Sequence, residues 1–200
     1  MTFWDFCAPF YDLSMKANGE AYAKMLAAIQ ELVPYGASVI EVAAGTGAIS
    51  IAICHRASNI LCTDFSKQMI KVAERKAEKA KAPNITFDLR NIYDLAIPDE
   101  SFDVVIAGQV LHLIDNPSKA AGELRRVAAK LVLLPLSFTK GLKRFAKIKM
   151  DLYKLLGFAP KVELTADEYN AFLNSIGFEV GKIVHCEGSV PMGIAVWHKT

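Results

Sequence analysis

The stretch Val39-Ile40-Glu41-Val42-Ala43-Ala44-Gly45-Thr46-Gly47 decides the fold of this chain. Its first half is rich in β-branched residues and its second half in small residues, which is the pattern of a buried strand running into a glycine loop. Glycines let such a loop approach a ligand closely and leave its backbone N–H groups free to donate. A helical pattern resumes from Ala48 to His55. The stretch therefore predicts a strand, a ligand-binding loop and a helix.

Strands and helices alternate along the rest of the chain as well. We expect strands at 38–42, 59–63, 85–89, 102–107, 130–136, 178–185 and 191–198, and helices at 20–33, 48–55, 66–82, 116–129, 140–156 and 165–176. Alternation at this spacing predicts βαβ units and a mostly parallel sheet that is covered on both faces. The last two strands are close enough in sequence to form an antiparallel hairpin. The predicted fold is α/β, a Rossmann-like, doubly wound and mostly parallel seven-stranded sheet with a C-terminal antiparallel hairpin.

Length and composition are those of one folded domain. The chain has 200 residues, of which 52% are hydrophobic and 22% charged, so it can bury a sizeable core. We expect a single domain over 1–200, with an N-terminal cap segment at 1–33 and a helical insert at 140–156 that covers the substrate. Within the cap segment, Pro9 is expected to interrupt any helix in the aromatic run that surrounds it.

Several classes of protein are disfavoured by simple counts. A net charge of +2 is too small to indicate a nucleic-acid partner. No apolar run approaches the ~20 residues that span a bilayer, and the N-terminus lacks the pattern of a secretory signal. The four cysteines, at 7, 54, 62 and 186, form no metal-ligand spacing and are expected to be buried reduced thiols. We therefore expect a cytoplasmic protein without a metal site.

Candidate binding residues gather at the carboxyl ends of the first four strands, where doubly wound sheets bind their ligands. Asp64 ends the second strand and is placed to accept both hydroxyls of a ribose. Glu41 precedes the glycines, where a carboxylate would repel a pyrophosphate but suits an ammonium or sulfonium group. The third glycine of a dinucleotide fingerprint is absent from 45–50. These features favour a nucleoside-bearing, cationic cofactor, with a nicotinamide cofactor as the alternative.

Motifs along nearly the whole chain resemble the class I S-adenosylmethionine-dependent methyltransferases, in particular their small-molecule branch. The stretch quoted above is similar to the first motif of that family. Further similar stretches, in order, are Leu61-Cys62-Thr63-Asp64-Phe65-Ser66-Lys67-Gln68-Met69, Ile97-Pro98-Asp99-Glu100-Ser101-Phe102-Asp103-Val104-Val105, Val110-Leu111-His112-Leu113 and Gly177-Phe178-Glu179-Val180. Ala8-Pro9-Phe10-Tyr11-Asp12 resembles the N-terminal segment of the quinone and phospholipid methylating branches.

The resemblance implies S-adenosylmethionine as the cofactor and a role for each site residue. The glycine loop, with Ala43, Ala44, Gly45 and Gly47, would pack against the cofactor, and Glu41 would orient its amino-acid end. Asp64 would bind the ribose, and Tyr11 would cover the sulfonium. The methionine portion would lie against Gly108 and Gln109. The adenine would contact four residues, namely Phe65, Met69, Asn91 and Ile92.

Two of these residues depart from the family pattern, and several have simpler interpretations. Ala43 replaces the usual first glycine, which is tolerable with a negative φ, and Asn91 replaces an aspartate, although its side-chain carbonyl can still accept a hydrogen bond. Asn91 can equally shape a turn, Asp64 can cap a helix, and Tyr11 can be an aromatic plug.

The predicted activity is methyl transfer to a small, partly hydrophobic metabolite by in-line displacement. His112, just after the fourth strand, is the candidate general base, or else a buried histidine at a helix start. A nicotinamide-dependent oxidoreductase and a non-catalytic cofactor-binding protein are the alternatives. Lys140 to Leu156 carries six basic residues and one acidic residue. It is either a solvated helix face or a cover that favours an anionic acceptor or membrane surface.

Overall fold

Seven strands form a single sheet in this computed structural model, which describes residues 3–16, 19–142, 144, 147 and 160–199. In chain order they are β1 (Ser38–Val42), β2 (Asn59–Asp64), β3 (Ile85–Leu89), β4 (Phe102–Ile106), β5 (Ala128–Ser137), β6 (Lys182–Cys186) and β7 (Met192–His198). The sheet order is β3-β2-β1-β4-β5-β7-β6. The pairs from β3 to β5 are parallel, and β7 is antiparallel to both β5 and β6. The predicted fold class is confirmed.

Helices cover both faces of this sheet. They are α1 (Phe3–Lys16), α2 (Gly19–Leu32), α3 (Ala48–Ile53), α4 (Lys67–Ala80), α5 (Pro117–Val127) and α6 (Ala166–Ser175). Successive strand residues point to opposite faces, so Val39 packs in the cluster with α2, α3 and α4, whereas Ile40 packs in the cluster with α5 and α6. The two clusters are the two halves of the core. Every helix in the described part of the chain is too short or too polar to cross a membrane.

The expectation that Pro9 interrupts a helix is wrong, because α1 runs through it without a break. A proline inside a helix removes one backbone hydrogen bond, but contacts with the rest of the fold hold α1 in place. The Ser66 hydroxyl donates to Asp5 (Oγ to Oδ1, 2.6 Å), and Lys76 forms an ion pair with Asp12 (Nζ to Oδ2, 2.7 Å). Tertiary contacts thus override a local helix breaker.

Other element boundaries differ from the sequence-based ones by a few residues. The largest shift is in β6, which begins at Lys182 and not at 178. Phe178 is fully buried against Trp197 (ring centroids 5.7 Å apart), so the chain anchors a side chain in the core before it joins the sheet. The helical insert predicted at 140–156 lies mostly outside the described residues. All four cysteines are free thiols.

Candidate cofactor site

A cavity of about 450 Å³ opens beyond the carboxyl ends of β1 to β4, where the strand order reverses between β1 and β4. This is the position at which doubly wound sheets bind ligands. The cavity wall is mostly apolar. Ten of the predicted binding residues line it, namely Tyr11, Ala43, Gly45, Asp64, Phe65, Met69, Asn91, Ile92, Gly108 and Gln109.

A smaller chamber of about 30 Å³ adjoins the cavity and shares Tyr11 and Gln109 with it. Glu41 and Ala44, two further predicted residues, line this chamber. Because the two spaces have walls in common, they form one elongated site. Tyr11 of α1 lies at their junction, where a Cβ built on Gly45 would be 3.6 Å from its Cε1 atom.

The backbone of the glycine loop is in the left-handed region at three positions. Gly45 has φ +55° and Gly47 has φ +71°, as expected for residues without a side chain. Ala43 has φ +54°, so the negative φ that would make an alanine tolerable at this position is not present. Gly47 lies outside the walls of both spaces, and a Cβ built on it would be 3.0 Å from Cβ of Ala73. The structure therefore places Gly47 where the loop packs closely on α4.

Asp64 fixes the glycine loop and also faces the cavity. Its carboxylate accepts hydrogen bonds from the backbone N–H groups of Gly45 (N to Oδ2, 2.8 Å) and Ser66 (N to Oδ1, 2.8 Å). Burial raises the pKa of this carboxyl. The capping residue of α4 is Ser66, whose hydroxyl accepts from the backbone N–H of Met69 (3.2 Å). Asp64 is therefore not itself the cap, and its remaining lone pairs can accept from a ligand.

Glu41 is buried beneath the glycine loop. The backbone N–H of Ser50, on α3, donates to its carboxylate (N to Oε2, 2.8 Å), and so does the Ser50 hydroxyl. Loss of solvent raises the pKa of Glu41 to about 7, because burial penalises the charged form more than these hydrogen bonds stabilise it. A cationic group in the small chamber would favour the ionised carboxylate of Glu41 and lower its pKa again.

The wall that follows β3 contains Asn91 and Ile92, on the side of the cavity near Phe65. The Asn91 side-chain carbonyl accepts a hydrogen bond from the backbone N–H of Tyr93 (3.0 Å), so the turn interpretation of this residue is correct. Asn91 lines the cavity as well. Phe65 is half exposed at the mouth, whereas Met69 is buried.

The segment after β4 carries Gln109 and His112. The side-chain carbonyl of Gln109 accepts from the backbone N–H of Ser137 (3.1 Å), and its buried Nε2 has no hydrogen-bond partner among the described residues. His112 is 7% exposed and lies outside the walls of both spaces. Burial lowers the pKa of its imidazole to about 4. The structure therefore brings Gln109, but not His112, together with the other predicted residues.

Several cavity residues were missed by sequence reasoning. They are Trp4 on α1, Arg90 after β3, and Val110, Leu113, Ile114 and Asp115 after β4. Tyr93, which follows β3 and stands among the residues that the strand ends suggest as candidates, lines the cavity too. Arg90 adjoins the predicted residue Asn91, which is the signal that could have found it. The residues after β4 follow from knowing that the whole loop after β4 lies along the cavity.

Residues 40–132 match the methyltransferase domain family. The match runs from β1 into β5 and contains the glycine loop, Asp64 and both cavity walls. Over this segment the chain is similar to the class I S-adenosylmethionine-dependent methyltransferases.

Two curated relatives are similar to this chain over part of their length. A demethylmenaquinone methyltransferase of Leptospira interrogans is 34% identical over 93 residues, which are 44% of this chain and 37% of the relative. A phosphatidylethanolamine N-methyltransferase of Cereibacter sphaeroides is 30% identical over 122 residues, which are 60% of this chain and 58% of the relative. The chain thus spans between about a third and three fifths of these two relatives.

A solved structure shares the fold of this chain over almost its whole length. Magnesium protoporphyrin IX methyltransferase from Synechocystis PCC 6803, with bound S-adenosylhomocysteine (SAH), superposes with a TM-score of 0.68 at 16% identity. The superposition covers 96% of this chain and 88% of the other. At this identity the likeness establishes the architecture and not the acceptor.

Proposed function

We propose that the protein transfers a methyl group from S-adenosylmethionine to a small, partly hydrophobic acceptor. The observation that carries this proposal is the pair of buried carboxylates on one elongated site, Asp64 on the cavity and Glu41 on the small chamber. Arg90 is the basic residue of the described cavity wall, and its guanidinium is held by Asp88 and by the carbonyl of Leu95. Such a site suits a cation that carries a ribose.

The residues present fit each portion of this cofactor. Asp64 would accept the ribose hydroxyls with the lone pairs that Gly45 and Ser66 leave unused. Glu41 would lie beside the ammonium group, where its negative charge is compensated. The buried Nε2 of Gln109 is a donor without a partner in the described chain, and we assign it to the carboxylate of the methionine portion. Tyr11 would cover the sulfur from α1.

When bound, the cofactor supplies an activated methyl group for in-line displacement. The contribution of the chain is to hold the acceptor in line with that methyl at ~3 Å and to exclude water. Tyr11 and Trp4 of α1 cover the site, and Val110 and Leu113 line it with apolar surface. A cap made of α1 and α2 is therefore part of the proposal.

The apolar wall supports a partly hydrophobic acceptor, and both curated relatives are named for lipid-like acceptors. A small net charge of +2 supports a small-molecule acceptor over a nucleic acid. We also propose that the protein is cytoplasmic. For an acceptor that carries a proton we propose His112 as the general base, which requires the acceptor to reach past the described cavity wall to the imidazole. The lowered pKa keeps that imidazole neutral near pH 7.

Calorimetric titration with SAH and with NADH tests the cofactor. We expect SAH to bind in the micromolar range and NADH not to bind, because the carboxylate of Glu41 repels a pyrophosphate. Tight binding of NADH alone would support the oxidoreductase alternative. Mass spectrometry of a quinone, phenol and phospholipid panel incubated with S-adenosylmethionine then tests the transfer. Binding of SAH without methylation of any panel member would favour the non-catalytic alternative.

A further inference from the structure

Tyr93 connects two walls of the cofactor site. It stands on the wall that follows β3, and its hydroxyl oxygen accepts hydrogen bonds from two backbone N–H groups of the loop after β4. The donors are Asp115 (N to Oη, 3.1 Å) and Asn116 (N to Oη, 3.2 Å). Asp115 lies on the opposite wall of the same cavity, together with Ile114. A single side chain therefore bridges the cavity near its rim.

The two donors are groups that need a partner. Asn116 caps the N-terminus of α5, where its side-chain carbonyl accepts from the backbone N–H of Lys119 (3.0 Å). Backbone N–H groups at a helix N-terminus have no partner within the helix. Asp115 and Asn116 are exposed, so water can replace the phenol oxygen without leaving a buried polar group unpaired. Loss of the phenol should therefore change the position of the loop more than the stability of the fold.

The loop after β4 is attached elsewhere on its other side. The backbone N–H of Gln109 donates to the carbonyl of Pro135 on β5 (2.8 Å), and the carbonyl of His112 accepts from the backbone N–H of Lys161 (2.9 Å). These contacts attach the loop to β5 and to residue 161. Tyr93 holds it from the side of β3, and so determines how far apart the two walls stand.

We infer that Tyr93 is a positioning residue that fixes the width of the slot between the walls after β3 and β4, in which the adenine of the cofactor lies. The inference rests on the proposed function, because Asn91 and Ile92 on the first wall are assigned to adenine there. A tyrosine suits this task, since its rigid ring loses little conformational freedom on being held at both ends.

Hydrogen exchange and ligand binding of a Tyr93→Phe variant test the inference, with Tyr35→Phe, at an exposed tyrosine, as the matched control. In the unliganded variant the amides of Asp115 and Asn116 should exchange faster than in the wild type. SAH and adenosine should each bind about three- to tenfold more weakly, by the same factor, since the loss lies at the nucleoside end. Turnover at saturating S-adenosylmethionine should be unchanged, while the KM for S-adenosylmethionine should rise.

The inference would be overturned by unchanged exchange of both amides, by SAH affinity within about twofold of the wild type, or by a loss for SAH that adenosine does not share. A fall in turnover at saturating cofactor would assign Tyr93 to the reaction itself and also overturn it. Failure of the wild type to bind SAH is a separate outcome that rejects the proposed function, whereas the exchange measurement needs no ligand.

Discussion

The carboxylate of Asp64 accepts a hydrogen bond from the backbone N–H of Gly45 (N to Oδ2, 2.8 Å), which joins the end of β2 to the glycine loop after β1. Two strand ends that line one cavity are thus held together in the protein without a ligand. Preorganisation of this kind lowers the entropy cost of binding. It also means that the side chain that shapes the loop is the one that we propose to bind the ribose of the cofactor.

Asp64→Ala should weaken SAH binding by about 1.5–3 kcal/mol, or roughly 10- to 150-fold, the scale of hydrogen bonds to a charged group. Isothermal titration calorimetry measures this loss. Asp99→Ala is the control, because that aspartate is exposed and pairs with Arg126 away from the cavity. Unchanged affinity in a folded Asp64→Ala protein would contradict the ribose assignment. Asp64→Asn, which keeps one acceptor oxygen for the loop, provides a second variant if the alanine protein folds poorly.

Ala43→Gly should raise the free energy of unfolding by about 1 kcal/mol, because a side chain at φ +54° is strained and glycine is not. The neighbouring Ala44 has no such φ, so Ala44→Gly should instead lower the free energy of unfolding by about 0.5–1 kcal/mol. Urea denaturation of both variants gives the comparison. Effects of the same sign in the two variants would show that the left-handed backbone at Ala43 is not the cause.

The sequence predicts the sheet well because its signals are local. The β-branched run before Gly45 and the helical pattern after it are read from neighbouring residues, and their order implies parallel strands. Because neighbouring parallel strands end at the same edge of the sheet, the position of Asp64 at the end of β2 is enough to predict that it lies beside the glycine loop. Ten predicted residues meet in one cavity for this reason.

Features that depend on contacts between distant segments could not be predicted in this way. Pro9 looks like a helix breaker until Asp5 and Asp12 are seen to hold α1 against α4 and the loop. The sequence predicts Gly47 as a cofactor contact but does not show that a Cβ built on it would be 3.0 Å from Cβ of Ala73 on α4. The hydrogen bonds of Tyr93 to Asp115 and Asn116 depend on how the loops after β3 and β4 lie relative to each other, and no spacing in the sequence indicates this arrangement.

His112→Ala should lower turnover by about 10²-fold on an acceptor that must lose a proton. This is the lower end of the range for a general base, because the burial that lowers its pKa to about 4 also makes it a weaker base. Affinity for SAH should be unchanged. His198→Ala, at an exposed histidine of β7, is the control. A loss of less than about threefold would mean that His112 only packs between the loop after β4 and residues 161 and 162, whose N–H groups its carbonyl binds.

Burial of Glu41 has opposite consequences for folding and for binding. In the unliganded protein its pKa of about 7 lies above the ordinary carboxyl value, so the folded state holds a proton that the unfolded state releases. The stability that this proton contributes is present in full below the ordinary pKa and is lost as the pH rises through about 7. Glu41→Gln cannot titrate and should make the unfolding free energy less dependent on pH over that interval.

Ligand affinity should change in the other direction. An ammonium group beside Glu41 favours the ionised carboxylate and lowers its pKa, so binding near neutral pH releases a proton. The affinity of the wild type for SAH should therefore rise from about pH 6 to about pH 8, at most tenfold per pH unit, and calorimetry in two buffers of different ionisation enthalpy should detect the released proton. Glu41→Gln should give a much flatter profile, and Glu179→Gln, at an exposed glutamate, should keep the wild-type slope. A flat profile in the wild type would place the ammonium group away from Glu41 and leave that carboxyl a partner of Ser50 alone.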